Sequence, residues 1–179
     1  MDLDLRVATV EDIPALNALI PASVRGLSQG YYTPAQIESA LVHHIFGVDS
    51  QLIADGSYFV VEHDDQIVGA GGWSKRKTLY GGDQLKSDAD PLLDPAYDAA
   101  PIRAYFVHPE WARQGIGGRI MRACEAAARA AGFTRLDLGS TVQGEAFSRA
   151  MGYEVSERLE IARPDGASLP YAQMTKSLA

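Results

Sequence analysis

The chain has 179 residues, 46% hydrophobic and 22% charged, which is the size and balance of one globular domain. Its net charge of -7 argues against broad nucleic-acid binding, and no apolar run reaches the roughly 18 residues of a membrane helix. The single cysteine, Cys124, excludes an internal disulfide, and the acidic N-terminus lacks a signal-peptide pattern. We therefore expect a cytoplasmic protein without nucleic-acid or membrane partners.

The first part of the chain predicts a strand, two helices and a hairpin. Leu3 to Val7 alternates apolar and charged residues, as a strand does. An apolar set at helical spacing from Ile13 to Ile20 predicts the first helix. Thr33-Pro34-Ala35-Gln36 has the cap, the proline and the glutamine of a second helix start. Two strand-like runs at residues 58–62 and 66–70 predict the hairpin.

A long polar segment, roughly Arg76 to Ala99, precedes the second part of the chain. It exceeds the ~12–15 residues of most structureless connections, so it is a candidate functional loop. Beyond it the pattern predicts a strand, a helix, a strand, a helix and two strands. These elements cover residues 102–107, 115–131, 136–138 and 145–151, the segment from Tyr153, and residues 172–176. With no repeat and no linker, residues 1–179 are predicted to form one domain.

The segment from Phe106 to Met121 has the pattern of an anion site. A strand ends before Pro109, and closely spaced glycines then lead into the start of a helix. Unpaired backbone N–H groups and the positive end of the helix dipole meet at such a point, and glycines let an anion approach the backbone. Arg113 and Arg119 add donors suited to phosphate oxygens. This pattern predicts a diphosphate site.

Two common diphosphate motifs do not match this segment. A dinucleotide fingerprint needs a third glycine at position 120, where Ile120 stands. The phosphate loop of nucleotide triphosphatases needs Gly-Lys-Ser/Thr, but Gly118 is followed by Arg119.

Two motifs instead resemble those of the GNAT superfamily of N-acetyltransferases. Val107 to Trp111, with Arg113 to Gly117 and the following helix, is similar to the acyl-CoA motif of that superfamily. Phe147 to Tyr153 is similar to its later aromatic–helix–Gly–aromatic motif, and the order of elements also agrees. The resemblance implies an α/β (α+β) fold. Its mixed, strongly twisted sheet would be flanked by helices and hold acyl-CoA between splayed central strands.

The resemblance also implies an activity, which is transfer of acetyl from acetyl-CoA to a primary amine by direct attack in a ternary complex. It assigns Phe106 and Val107 to the pantetheine arm and the acyl group, and the Val107 N–H could stabilise the developing oxyanion. The residues assigned to the pyrophosphate are Arg113, Gln114, Gly115, Ile116, Gly117, Gly118 and Arg119. The acceptor would be a small-molecule or peptide amine. The superfamily often dimerises, so a homodimer is allowed.

The sequence departs from the superfamily at catalytic positions. Ser148 stands where many members have a tyrosine acid, Pro101 stands where many have a glutamate base, and Ala112 replaces a frequent Gln or Arg. The catalytic candidates are Ser148 as proton donor, His108 as base, and Tyr105. The alternatives are a solvated loop residue for His108 and a core or pocket-wall residue for Tyr105. Because of these departures, a non-catalytic acyl-CoA-binding or sensing module stays open as a second function.

For the acceptor we consider aromatic residues and one carboxylate in the loops, because aromatic faces beside a carboxylate suit an ammonium group. The candidates are Tyr31, Tyr32, Trp73 and Asp83, with Tyr80 in the same group, and the Arg76–Ala99 segment would be a lid. The alternative is that these aromatics pack against the nearest sheet face. His43 and His44 are adjacent on a helix and face different directions, so no metal is expected.

Overall fold

The computed structural model describes residues 2–78, 82–83 and 90–179. The strands within these ranges are β1 (Asp4–Val7), β2 (Tyr58–His63), β3 (Gln66–Trp73), β4 (Ala100–Val107), β5 (Arg135–Thr141), β6 (Glu154–Ala162) and β7 (Ser168–Ser177). The α-helices are α1 (Ile13–Leu27), α2 (Pro34–Val42), α3 (Ser50–Ala54), α4 (Ile116–Ala130) and α5 (Glu145–Ala150).

The strands form one mixed sheet in the order β1-β2-β3-β4-β5-β7-β6. β4 and β5 run parallel, whereas the other described neighbours pair antiparallel. Helices flank the sheet, so the predicted mixed α/β fold is confirmed. None of the helices described is long and apolar enough to cross a membrane.

β4 and β5 pair only where they begin, from Ala100↔Leu136 to Ile102↔Leu138. Past this point β4 contains an irregularity: Ala104 has φ 52°, and its register with β3 shifts opposite residues 70–72. An extra residue in one strand bends that strand and increases its twist. The two central strands therefore part after three paired residues.

The sheet separates two apolar clusters. The cluster on the side of α1, α2 and α3 includes Leu16 and Leu52. The cluster on the side of α4 includes Ile120, Leu136 and Cys124. Burial raises the pKa of the Cys124 thiol, so this cysteine serves as a small apolar side chain that fills space in the core.

Two local signals in the sequence are reproduced in the structure. Thr33 Oγ1 accepts from the N–H of Gln36 at 3.1 Å, and Gln36 Oε1 accepts from the N–H of Thr33 at 2.9 Å. This is the capping box predicted for α2. After α4, Gly132 has φ 94°, the left-handed conformation predicted for the residue that ends this helix.

The short helix α3 is not predicted from the sequence, because five residues are too few to show helical periodicity. Asp49 caps it by accepting from the N–H of Gln51 at 3.1 Å, and its second oxygen accepts from Arg103 Nη1 of β4 at 2.6 Å. Both members of this ion pair are buried. At the other end of α3, Asp55 accepts two hydrogen bonds from Arg76. Ion pairs therefore hold both ends of α3.

Within the segment from Arg76 to Ala99, Arg76 and Asp83 contact this helix or the residues before it, whereas Tyr97 contacts Arg135 of β5. Arg76 also pairs with Leu92 in an antiparallel bridge. Asp83 donates its N–H to the Val48 carbonyl at 3.0 Å and accepts from the N–H of Ser50 at 2.9 Å. The segment thus supports the connection between α2 and α3.

We expect Asp49→Asn to lower the free energy of unfolding by about 3 kcal/mol, because it removes the charge of Asp49 from its buried ion pair with Arg103. The amide side chain of the variant would still cap α3, so the loss of stability reports the removal of the charge. Urea denaturation followed by circular dichroism measures it. The control is Glu38→Gln, which breaks the exposed pair between Arg25 and Glu38 and should leave the midpoint nearly unchanged. Equal midpoints for the two variants would contradict a stabilising role for the buried pair.

Candidate functional site

The glycine-rich loop lies between the end of β4 and the start of α4. His108 caps the 3-10 turn Pro109–Trp111, with Nδ1 accepting from the N–H of Glu110 at 3.3 Å. Arg113 (φ 65°) and Gly115 (φ 83°) are both left-handed, and Gly115 is the N-cap residue of α4. The chain therefore turns sharply, and the exposed Gly115 leaves the first turn of the helix open to solvent.

The cations around this turn differ partly from those predicted. Arg113 is exposed beside Gly115, as a phosphate contact requires. Arg119 instead donates from Nη1 to the carbonyl of Leu3. Arg122 Nη1 lies 3.2 Å from the point that a Cβ on Gly118 would occupy. Arg122 is thus a cation over the first turn to which the sequence assigned no role, and its four-residue spacing from Gly118 is the signal that could have found it.

A cavity of about 170 Å³ lies between the diverging strands. On the α4 side its walls include Tyr105, Met121, Leu138, Phe147 and Ser148. On the opposite side they include Ile45, Phe46, Gly47, Arg103 and Phe106. Residues from β4, β5, α4, α5 and the α2–α3 connection thus converge on one space, although they are far apart in sequence.

The three catalytic candidates are placed differently. Ser148 is buried and lines the cavity. Tyr105 also lines it, but its hydroxyl donates to the carbonyl of Gly117 in α4, and burial raises the pKa of its phenol well above the ordinary value. This arrangement fits the pocket-wall alternative for Tyr105. His108 is not among the residues that line the cavity, and its ring caps the turn after β4.

The two β4 residues assigned to the pantetheine arm face opposite sides of the sheet. Phe106 is buried toward α1 and meets Phe46 edge-to-face, with ring centroids 6.3 Å apart. Val107 packs toward α4, and its N–H donates to Ser23 Oγ of α1 at 3.1 Å. The Val107 N–H is therefore engaged, and an oxyanion role would require Ser23 to release it. Nothing in the sequence pattern of α1 singles out Ser23.

The two motifs of the second half meet at Gly117. A Cβ on this residue would lie 3.2 Å from Cζ of Phe147, so the first turn of α4 packs closely on α5. The ring of Tyr105 lies 6.0 Å from that of Phe147. The glycine loop and the aromatic motif therefore form one wall of the cavity.

The two adjacent tyrosines in the loop after α1 lie in different environments. Tyr31 is 57% exposed, whereas Tyr32 is buried and belongs to the cluster beneath α1 and α2. The hydroxyl of Tyr32 donates to the Pro170 carbonyl at 2.7 Å and accepts from the N–H of Val142 at 2.9 Å. Burial raises the pKa of this phenol. Tyr32 thus ties its loop to β7 and to the segment after β5.

The other acceptor candidates lie elsewhere. Trp73 packs on Phe133 with centroids 5.9 Å apart, in the cluster on the α4 side of the sheet. Asp83 accepts from the N–H of Ser50, and Tyr80 lies outside the described residues. The structure therefore does not bring Tyr31, Tyr32, Trp73 and Asp83 into one cleft. The individual roles of Tyr31 and Asp83 in acceptor binding stay predictions.

Within residues 2–78, 82–83 and 90–179, no three His, Cys, Asp or Glu side chains are grouped so that they could hold a metal ion. His43 contacts Asp165, with Nε2 at 3.5 Å from Oδ2.

Comparison with known proteins agrees with this geometry. Residues 24–153 match the model of the acetyltransferase (GNAT) family. A GCN5-related N-acetyltransferase structure from Rhodopseudomonas palustris superposes with a TM-score of 0.73 at 22% identity, covering 99% of this chain and 97% of that chain. No curated protein sequence matches the chain.

Two further structures with the same fold were solved with a coenzyme. The PaiA N-acetyltransferase from Thermoplasma acidophilum, in complex with coenzyme A, has a TM-score of 0.67 at 16% identity and covers 99% of each chain. YncA from Salmonella typhimurium, with its cofactor acetyl-CoA, has a TM-score of 0.65 at 16% identity and covers 100% of this chain and 95% of that chain.

Proposed function

Because the chain belongs to the acetyltransferase (GNAT) family, we propose that it transfers an acetyl group from acetyl-CoA to a primary amine within a ternary complex. The observation that carries the proposal is the cavity between β4 and β5, which lies beside the glycine-rich start of α4. Two structures of the same fold that hold coenzyme A or acetyl-CoA support it.

The features around the cavity fit a long anionic thioester. The first turn of α4 offers backbone N–H groups and the positive end of its dipole to a pyrophosphate. Arg113 is exposed at this turn and Arg122 lies over it. Past Ile102, β4 and β5 no longer pair with each other. Their unpaired backbone edges can bind an extended pantetheine arm as an added strand would.

The neutral acceptor amine would attack the thioester carbonyl directly, and the carbon–sulfur bond would break as the amide forms. The proton that the nitrogen loses would pass to the departing thiolate or to water. A thiol has a pKa near ~8.5, so a thiolate leaves without a strong acid. Holding amine and thioester together can supply ~7–11 kcal/mol, whereas a general acid contributes ~10²–10⁴-fold. Ser148 lines the cavity and is a weak donor in this scheme. Holding the amine and the thioester in position therefore accounts for most of the rate acceleration.

The second candidate is a module that binds acyl-CoA without turnover. The observation that favours it is that Tyr105, the phenol in the cavity wall, already donates its hydroxyl to Gly117. A screen with polyamines, amino acids, aminoglycosides and peptide N-termini, read out as released thiol, separates the two candidates. Binding of acetyl-CoA without thiol release from any acceptor would favour the binding module.

We expect Gly117→Val to weaken binding of acetyl-CoA by about tenfold or more, because the branched side chain would crowd Phe147 and cover the N–H groups of the first turn. Calorimetry measures the affinity. The control, Ala126→Val, places the same side chain on an exposed position of α4 away from the loop and should bind normally. Equal affinity for Gly117→Val, with the fold intact, would remove the loop from the site.

We expect Ser148→Ala to lower kcat by less than the ~10²-fold loss of a full general acid. The reason is that positioning carries the rate and the thiolate is a tolerable leaving group. Thiol release under saturating substrates measures kcat. The control is Ser156→Ala, which removes an exposed hydroxyl of β6. A collapse of kcat in Ser148→Ala alone would show that proton donation by this serine is essential.

A further inference from the structure

The side chains of β5 alternate between the two faces of the sheet. Leu136 and Leu138 are buried in the cluster on the α4 side. Asp137 and Gly139 therefore face the side of the sheet that carries α1, α2 and α3. Asp137 pairs with Pro101, one residue before β4 and β5 cease to pair. Its carboxylate thus stands beside the point where the cavity begins.

Asp137 is a carboxylate that makes no hydrogen bond within residues 2–78, 82–83 and 90–179. It is half-buried, and no hydrogen bond or ion pair of its carboxylate is found in the described parts of the chain. Burial raises the pKa of Asp137, while the charge of Arg135 lowers it. The guanidinium of Arg135 donates to the carbonyl of Tyr97. The half-buried carboxylate is therefore able to accept a cationic group of a bound molecule.

Gly139 connects this carboxylate with the cavity. It lines the cavity, is exposed, and lies two residues beyond Asp137 on the same face. Two residues of a strand span about 7 Å, and glycine places no side chain in the path between them. A molecule with one end in the cavity can therefore place a second group on Asp137.

The opposite wall of the cavity indicates what lies between these two ends. Ile45 and Phe46 present apolar surface there, and no Asp or Glu is among the residues found to line the cavity. Arg103 also lines that wall, and its charge is matched by Asp49. A short hydrocarbon chain fits this surface, whereas a second ammonium group in the cavity would find no carboxylate on the walls described.

We propose that Asp137 binds a cationic group of the acceptor, which is therefore an amine that carries a second positive charge. This inference rests on the proposed acetyl transfer. Asp137 determines which amines are accepted, and it takes no part in the bond-making step. A charge-assisted hydrogen bond of this kind is worth about ten- to a hundredfold in affinity.

The test compares 1,4-diaminobutane with butylamine as acceptors of acetyl from acetyl-CoA. The parent protein should show a kcat/KM for the diamine that is about ten- to a hundredfold higher. Asp137→Asn should abolish this preference by lowering kcat/KM for 1,4-diaminobutane toward the value for butylamine. The variant is isosteric and removes a half-buried charge, so it should fold, which circular dichroism checks. Calorimetry of 1,4-diaminobutane on the complex with coenzyme A gives a readout that does not depend on turnover.

The control is Glu157→Gln, which removes an exposed carboxylate of β6 that lies in register with Gly139 through Gln173. It should keep the preference for the diamine. Equal use of both amines by the parent, or a preference that survives Asp137→Asn, would overturn the inference and leave acetyl transfer standing. If neither amine is acetylated, equal binding of 1,4-diaminobutane by parent and Asp137→Asn would also overturn it. Failure of the parent to bind acetyl-CoA would refute the proposed function itself.

Discussion

The separation of β4 from β5 after three paired residues is the constraint on which the rest of the site depends. Backbone N–H and C=O groups inside a protein need partners, and a central strand normally finds them on both neighbours. β4 loses those on one side once Ala104 adopts a positive φ and the strands diverge. The N–H of Val107 meets this need through a helix side chain, Ser23 Oγ. The strands thus offer a ligand the backbone groups that they no longer offer each other.

The wall on the α4 side is held by a chain of contacts that begins in the same strand. Tyr105 follows Ala104, and its hydroxyl binds the carbonyl of Gly117 in the first turn of α4. Gly117 in turn leaves room for the ring of Phe147. One strand irregularity is thereby coupled to the position of the helix start and to α5. The opposite wall depends on charge, because the Asp49–Arg103 pair fixes α3 to β4.

Asp137 and Asp49 show how the same residue type acquires different roles from its surroundings. Asp49 caps α3 and pairs with Arg103, so its charge is used within the fold. Asp137 stands on β5 where the sheet opens, and the described chain brings it no partner. The first stabilises a wall of the cavity. The second remains available to a ligand.

The sequence by itself determined the motifs and the helices and strands other than α3, because these depend on local chemistry. Three local signals each depend on a few neighbouring residues, and all three are present in the structure. They are the capping box at Thr33, the helix end at Gly132 and the glycine-rich start of α4. The family resemblance rested on two such local motifs, and the match over residues 24–153 agrees with it.

Only the tertiary structure decided which distant side chains share the cavity. Tyr32, in the loop after the first helix, and Trp73, at the end of a hairpin strand, were grouped as acceptor residues, yet they pack on opposite sides of the sheet. Ser23 and Asp137 carried no motif, and each gains its place from a partner strand or a sheet register. Such contacts depend on where β4 leaves β5. That point is set by backbone pairing between segments far apart in sequence, which local patterns do not encode.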